Sequence, residues 1–301
     1  MTSTLHGLWP ALMTPLTAEL ALDAERGIAH AKSLLAAGTD GITLFGTTGE
    51  GASFSVAERI AFTDALIADG VPAARMIVCT TAASDVDQIA LTRHAAAKKV
   101  AAVLLLPPFF FRNPTEQGII DSITEVIDGV NDPLLKVILY HIPQLSSIHF
   151  TPAIIKALVG RYPEQIVAIK DSGGNLEHSL ALIRDFPALN VFVGAEEHIA
   201  TAMQMGGAGS VCGLANLAPR LIKRVIDNPA QLSPHDSALI GKLLSLIGNN
   251  SFVPIFKIVL AEQKNDPAWL RVRPPMAQLD ADAVAQVVAS YRDFKLDTAT
   301  I

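Results

Sequence analysis

Gln165-Ile166-Val167-Ala168-Ile169 is a run of apolar residues behind one glutamine, and it ends on Lys170-Asp171. A strand wetted on one face alternates apolar and polar residues. A run apolar at every position suits a strand covered on both faces, as in a parallel sheet flanked by helices. Seven more runs, most of them apolar on both sides, are Gly7–Leu12, Gly41–Phe45, Arg75–Thr80, Ala101–Leu106, Leu135–Tyr140, Asn190–Gly194 and Gly209–Cys212. Their starts fall 19 to 34 residues apart, the length of one strand plus one helix. Helix-start signals stand between them. Ser55-x-x-Glu58 reads as a capping box, and Thr151-Pro152 as an N-cap with proline at the first helical position. Gly38, Gly70 and Gly160 stand where helices are expected to stop.

Eight units in a row predict an α/β fold, a (β/α)8 TIM barrel over residues 1–228. The competing arrangement, an open doubly wound sheet, would carry G-x-G-x-x-G after its first strand, and this chain has none there. Beyond about Asn228 the rhythm becomes helical only, in Ser237–Ile247, Val253–Lys264 and Ala281–Lys295. Residues 229–301 are therefore read as a C-terminal helical extension packed on the outside of the barrel.

Composition narrows the function. Of 301 residues half are hydrophobic and 17% charged, which excludes a disordered chain. The net charge of −6 argues against nucleic acid as the main partner. Cys79 and Cys212 form no C-x-x-C pair, which fits a reducing, cytoplasmic setting. The segment Met1–Leu16 lacks the charged start and unbroken apolar core of a signal peptide, and no apolar run reaches the roughly 20 residues that span a membrane. The eight histidines show neither H-x-x-x-H nor H-E-x-x-H spacing, so no metal is expected.

Chemistry in such a barrel collects at the C-terminal ends of the strands. The polar residues there are Thr14, Thr47, Thr48, Tyr140, Lys170, Glu196 and Glu197, with Gly213 after the eighth strand. An amine held among apolar neighbours favours its neutral form and adds to ketones as a Schiff base, whereas a lysine at a strand end can also just reach into water. Tyr140, one of three tyrosines, suits proton transfer beside that amine or packing in a core. His141, the next residue, should face the other side of its strand as a packing or supporting histidine. Gly46-Thr47-Thr48-Gly49-Glu50 offers glycine-permitted turns, hydroxyls and N–H groups to an anion, be it phosphate or carboxylate.

Together with Ile169-Lys170-Asp171-Ser172, Tyr140-His141-Ile142-Pro143 and Gly206-Gly207-Ala208-Gly209-Ser210, this turn makes the chain resemble the dihydrodipicolinate synthase / N-acetylneuraminate lyase family of Schiff-base barrels, from about Gly7 to Arg220. The resemblance implies that Lys170 is the Schiff-base lysine and Tyr140 the proton-transferring phenol. It also implies that Gly46, Thr47 and Thr48 hold the carboxylate of a 2-oxo acid, usually pyruvate. The catalytic candidates are Lys170, Tyr140 and Thr48; the substrate-binding candidates are Gly46, Thr47, Thr48, Ser172, Glu196 and Gly213. No cofactor is expected, and a homotetramer, a dimer of dimers, is.

Departures within the family matter. The synthases carry an arginine five residues past the strand-five tyrosine, where this chain has Leu145. They also borrow a tyrosine hydroxyl from a Pro-Tyr-Tyr segment of a neighbour, and the corresponding stretch here is Pro108-Phe109-Phe110-Phe111. The run Tyr140-His141-Ile142-Pro143-Gln144-Leu145-Ser146 looks instead like the lyase branch, whose acidic pair aligns with Glu196 and Glu197. Gly213 stands where the lyase has a serine, and His141 where the family usually has asparagine. The expected activity is a pyruvate-dependent aldolase or lyase acting on a 2-oxo, 3-deoxy sugar acid, with an aldehyde as the other product. The alternatives are dihydrodipicolinate synthesis, a keto-deoxy sugar acid dehydratase using the same imine, and a catalytically silent 2-oxo acid-binding scaffold. Arg112 is read as solvent-facing.

Overall fold

The computed structural model describes residues 5–248, 250–296 and 300–301; residues 1–4, the start of the segment read above for a signal peptide, lie outside it. Eight strands form, each inside one of the eight apolar runs or running just past it. They are β1 (Gly7–Leu8), β2 (Ile42–Leu44), β3 (Met76–Cys79), β4 (Ala102–Leu105), β5 (Val137–His141), β6 (Ile166–Asp171), β7 (Asn190–Val193) and β8 (Gly209–Ser210). Each pairs in parallel with its neighbour, in the order β1-β8-β7-β6-β5-β4-β3-β2. The circle closes beyond β1, where Ala11 bridges Thr43 of β2. There Thr43 N–H donates to Pro10 O and Leu12 N–H to Thr43 O, both at 2.8 Å. The result is a TIM barrel with C-terminal helices.

The first and eighth strands are shorter than their apolar runs, although their hydrogen bonds go on through Trp9 N–H to Ser210 O and Ala11 N–H to Cys212 O, both at 2.9 Å. Pro10 has no N–H to give a ladder. The β1 and β8 chains approach so closely at Gly209 that a Cβ there would sit 2.0 Å from Gly7 O. Residues of β2 to β5 are buried throughout, as expected for strands covered by helices outside and by filled side-chain layers inside.

Helix ends follow local chemistry. Ser55 and Glu58 form the capping box on helix Val56–Ala68, and Thr151 caps helix Pro152–Arg161 through Ile154 N–H. Gly38 and Gly70 follow their helices with φ of +94° and +88°. Gly160 does not stop its helix, which runs on to Arg161 and ends where Tyr162 N–H meets Leu158 O. The glycine lacks the positive φ a stop would need, so it costs only helix propensity.

The C-terminal helices Pro234–Ser245, Phe252–Lys264 and Ala281–Asp293 share a second core with the β7–β8 side of the barrel, in which Val193, Cys212, Leu221, Leu260 and Trp269 are buried together. Among the described residues no helix is long and apolar enough to cross a membrane.

Candidate active site

The parallel register of β5 on β6 sets Tyr140 opposite Lys170 and His141 opposite Asp171. Because successive side chains alternate, the two pairs face opposite sides of the sheet. On one side, Lys170 Nζ lies 4.2 Å from the centre of the Tyr140 ring. Lys170 is 4% exposed, and it makes no ion pair among the described residues. A carbonyl carbon reaching this amine meets neither a competing carboxylate bond nor bulk water. Tyr140 Oη lies 3.0 Å from Thr47 Oγ1, in hydrogen-bond contact.

Thr47 and Thr48 belong to the turn after β2. Thr14 Oγ1 donates to Gly49 O at 2.7 Å, and Gly51 N–H donates to Gly46 O at 3.1 Å. Gly49 and Gly51 are required by closeness: a Cβ would stand 2.7 Å from Leu12 O at the first and 1.8 Å from Phe45 O at the second. Gly213 adjoins the same turn, since a Cβ there would be 3.2 Å from Thr48 Oγ1. A cavity of about 670 Å³ opens over the mouth, lined by Thr47 and Tyr140 with Arg59, Thr81, Phe109 and Leu145. Lys170 is not part of the cavity wall; its Nζ stands over the ring of Tyr140, which is. A hollow of about 890 Å³ at the N-terminal ends of the strands surrounds Trp9, Asp40 and Lys223, and that lysine is paired with Asp40 and Asp227.

The acidic pair divides. Glu196 is buried, whereas Glu197 is exposed. Glu196 Oε1 accepts from Leu214 N–H at 2.9 Å, joining the β7 and β8 loops. Burial raises its carboxyl above the ordinary value, against that hydrogen bond. Ser172 stands half-buried between neighbouring loops: its N–H donates to His141 O, its carbonyl accepts from Gln144, and its Oγ occupies the space a Cβ on Gly194 would fill. Phe110 and Phe111 are exposed and stack edge to face, and Arg112 is exposed as expected.

Sequence reasoning missed the cluster behind the reacting strands. Asp171, 2% exposed, accepts from His141 Nδ1 and His178 Nδ1, both at 2.9 Å, from Ser179 Oγ at 2.7 Å and from Gly173 N–H at 3.0 Å. Burial pushes this carboxyl up, but the hydrogen bonds from His141, His178, Ser179 and Gly173 outweigh it and hold it far below the usual carboxylate range. The bond to Asp171 in turn raises His178, against partial burial. His141, Asp171 and His178 offer three donor atoms within 4.8 Å of one another. Both Nδ1 atoms are spent on the carboxylate, which makes the cluster an anchor for the β5 and β6 ends. The signal available was the strand pairing itself: once Tyr140 faces Lys170, His141 must face Asp171.

The anchor predicts a pH dependence. His178 is raised above 6.5, so its contribution is complete below that value and fades as pH rises through the raised one. Asp171 is depressed below 3.8, so its contribution is present above that value and is lost only in strong acid. The ion pair therefore counts most between these limits. Urea unfolding of His178→Gln should show a larger stability loss at about pH 5.5 than at about pH 8.5. Equal losses at both would show that the ring acts by packing alone.

A parallel barrel with a buried lysine facing a tyrosine at its C-terminal mouth defines the class, a barrel enzyme built for carbonyl chemistry. The sequence profile of the "Dihydrodipicolinate synthetase family" matches residues 4–292. An "Uncharacterized DapA-like lyase" of Chloroflexus aurantiacus is 33% identical over 289 residues, 95% of this chain and 96% of its own. The "Putative 2-dehydro-3-deoxy-D-gluconate aldolase YagE" of Escherichia coli is 26% identical over 96% of this chain and 97% of its own. The crystal structure of dihydrodipicolinate synthase from Agrobacterium tumefaciens superposes with a TM-score of 0.90 at 26% identity, covering 96% of this chain and 99% of that one. The chain belongs to the dihydrodipicolinate synthetase family and is a carbon–carbon lyase of the Schiff-base type.

Proposed function

We propose that this lyase cleaves a 2-oxo, 3-deoxy sugar acid into pyruvate and an aldehyde, and that it works in the cytoplasm as a homotetramer. The observation that carries the chemistry is the juxtaposition of Lys170 Nζ, the Tyr140 ring and Thr47 Oγ1. Lys170 attacks the C2 ketone, and loss of water leaves a protonated imine. The C3–C4 bond then breaks, its electron pair flowing into the imine to give the enamine of pyruvate. As that oxygen becomes the aldehyde carbonyl, the proton of the C4 hydroxyl passes to Tyr140 Oη, directly or through a water, while the phenol's own proton moves on through Thr47 Oγ1 to the substrate carboxylate. Protonation of the enamine at C3 and hydrolysis of the imine release pyruvate and restore the amine.

Gly46, Thr47 and Thr48 hold the substrate carboxylate, which orients C2 against Lys170 and supplies the entropic part of catalysis. Ser172, Glu196 and Gly213 border the distal part of the substrate, and the Glu196 carboxyl meets a sugar hydroxyl there. The relative named as a 2-dehydro-3-deoxy-D-gluconate aldolase supports this substrate class. So does Leu145, which lines the cavity where a synthase would present a guanidinium to a second carboxylate. The Phe109–Phe111 stretch has no hydroxyl to relay a proton.

A panel of 2-oxo-3-deoxy sugar acids, assayed for released pyruvate, tests the reading. Pyruvate and aldehyde in equal amounts from at least one member are expected. A 2,5-dioxo product without pyruvate would assign a dehydratase. Turnover confined to pyruvate with aspartate semialdehyde would assign a synthase.

A further inference from the structure

The turn that carries Thr47 and Thr48 is gripped from outside the barrel by a buried ion pair that has no part in the chemistry above. Glu50 closes the turn in a left-handed conformation, φ +56°, with a wholly buried side chain. Lys257, in the middle of helix Phe252–Lys264, is also wholly buried and pairs with Glu50 Oε1. The same ammonium donates to Arg271 O at 2.8 Å, and Arg273 N–H points at Glu50 Oε2 from 3.4 Å. The Arg273 guanidinium donates to Ser53 O at 2.7 Å, just past the turn, and to Leu20 O at 2.8 Å. One residue before Lys257, Phe256 reaches the other flank of the site: a Cβ on Gly213 would lie 3.0 Å from its ring.

Two charges withdrawn wholly from water gain little net stability from each other, and apolar replacements of such pairs are often neutral. What an ion pair of this kind can fix is position. We propose that the Glu50–Lys257 pair is a positioning device, by which the C-terminal helix sets the Gly46–Gly51 turn so that Thr47 and Thr48 stand ready for the carboxylate of the 2-oxo acid. This rests on the reading above that the turn binds that carboxylate. Neither residue touches substrate; both act through the backbone that carries the two threonines.

The test uses the double variant Glu50→Gln/Lys257→Met, which leaves no single buried charge behind, and Arg273→Gln, which loosens the turn from its outer side. Hydrogen exchange of amides 46–53 is compared with that of β5 and β6 in the unliganded protein. Borohydride trapping with pyruvate then separates the half-saturating concentration from the limiting rate. The clamp predicts turn exchange at least about tenfold faster with β5 and β6 unchanged. It also predicts half-saturation raised about 10- to 100-fold with a limiting rate within about threefold. Unchanged turn exchange, exchange faster throughout the barrel, or unchanged half-saturation in both variants would overturn it. Absence of trapping in the unsubstituted protein would instead overturn the carboxylate-binding reading, while the exchange data would still judge the clamp.

Discussion

Lys170→Met should abolish pyruvate release, with kcat/KM falling by on the order of 10⁴-fold or more, because among the described residues no other lysine stands at the mouth to supply an amine to C2. Lys170→Arg should be equally inactive, since a guanidinium keeps the charge and cannot form the imine. Stability should move the other way. Lys170 is 4% exposed and makes no ion pair among the described residues, so methionine replaces a costly polar group with an apolar one of similar length. Thermal unfolding of Lys170→Met should therefore come at the same temperature as the unsubstituted protein or higher. A variant that loses activity only because it unfolds would contradict both halves of this expectation.

Tyr140→Phe should lower kcat by about 10² to 10⁴, the range of a positioned proton shuttle, while leaving the lysine able to form its imine. The ring that lies 4.2 Å from Lys170 Nζ is retained, and only the hydroxyl bonded to Thr47 is lost. Single-turnover measurements should show the substrate imine accumulating before slow cleavage. A fall in imine formation as large as the fall in turnover would move the tyrosine's role from cleavage to dehydration. Thr47→Val, which removes the partner of the phenol, is expected to show a weaker effect of the same kind.

The strands were legible because most of their residues are buried on both faces, so the apolar runs carried their own signal. Their ends were legible only where glycine or proline punctuates them, and the closure through Ala11 and Thr43 lies in a register no local pattern encodes. Of the site, Lys170 and Tyr140 could be picked out by their place at strand ends, and the β5–β6 register puts them face to face. The family resemblance supplied their roles. The β5–β6 pairing implies the His141–Asp171 part of the Asp171 cluster, but the rest was hidden because it comes from the following turn and from helix Leu176–Asp185. Lys257 stands inside Phe252-Val253-Pro254-Ile255-Phe256-Lys257-Ile258-Val259-Leu260, within a stretch that the sequence reading marks only as the helical segment Val253–Lys264. A charge in the centre of such a run is itself the signal, since it must find a buried partner. Of the acidic pair the sequence singles out Glu196 as the substrate-binding member, and the fold buries Glu196 and exposes Glu197.

The most direct test is reduction with borohydride in the presence of pyruvate, followed by digestion and mass mapping of the modified peptide. The account predicts one carboxyethyl group per chain, carried by Lys170, with inactivation in proportion to label. Label on a surface lysine such as Lys156, or no label at saturating pyruvate, would contradict it.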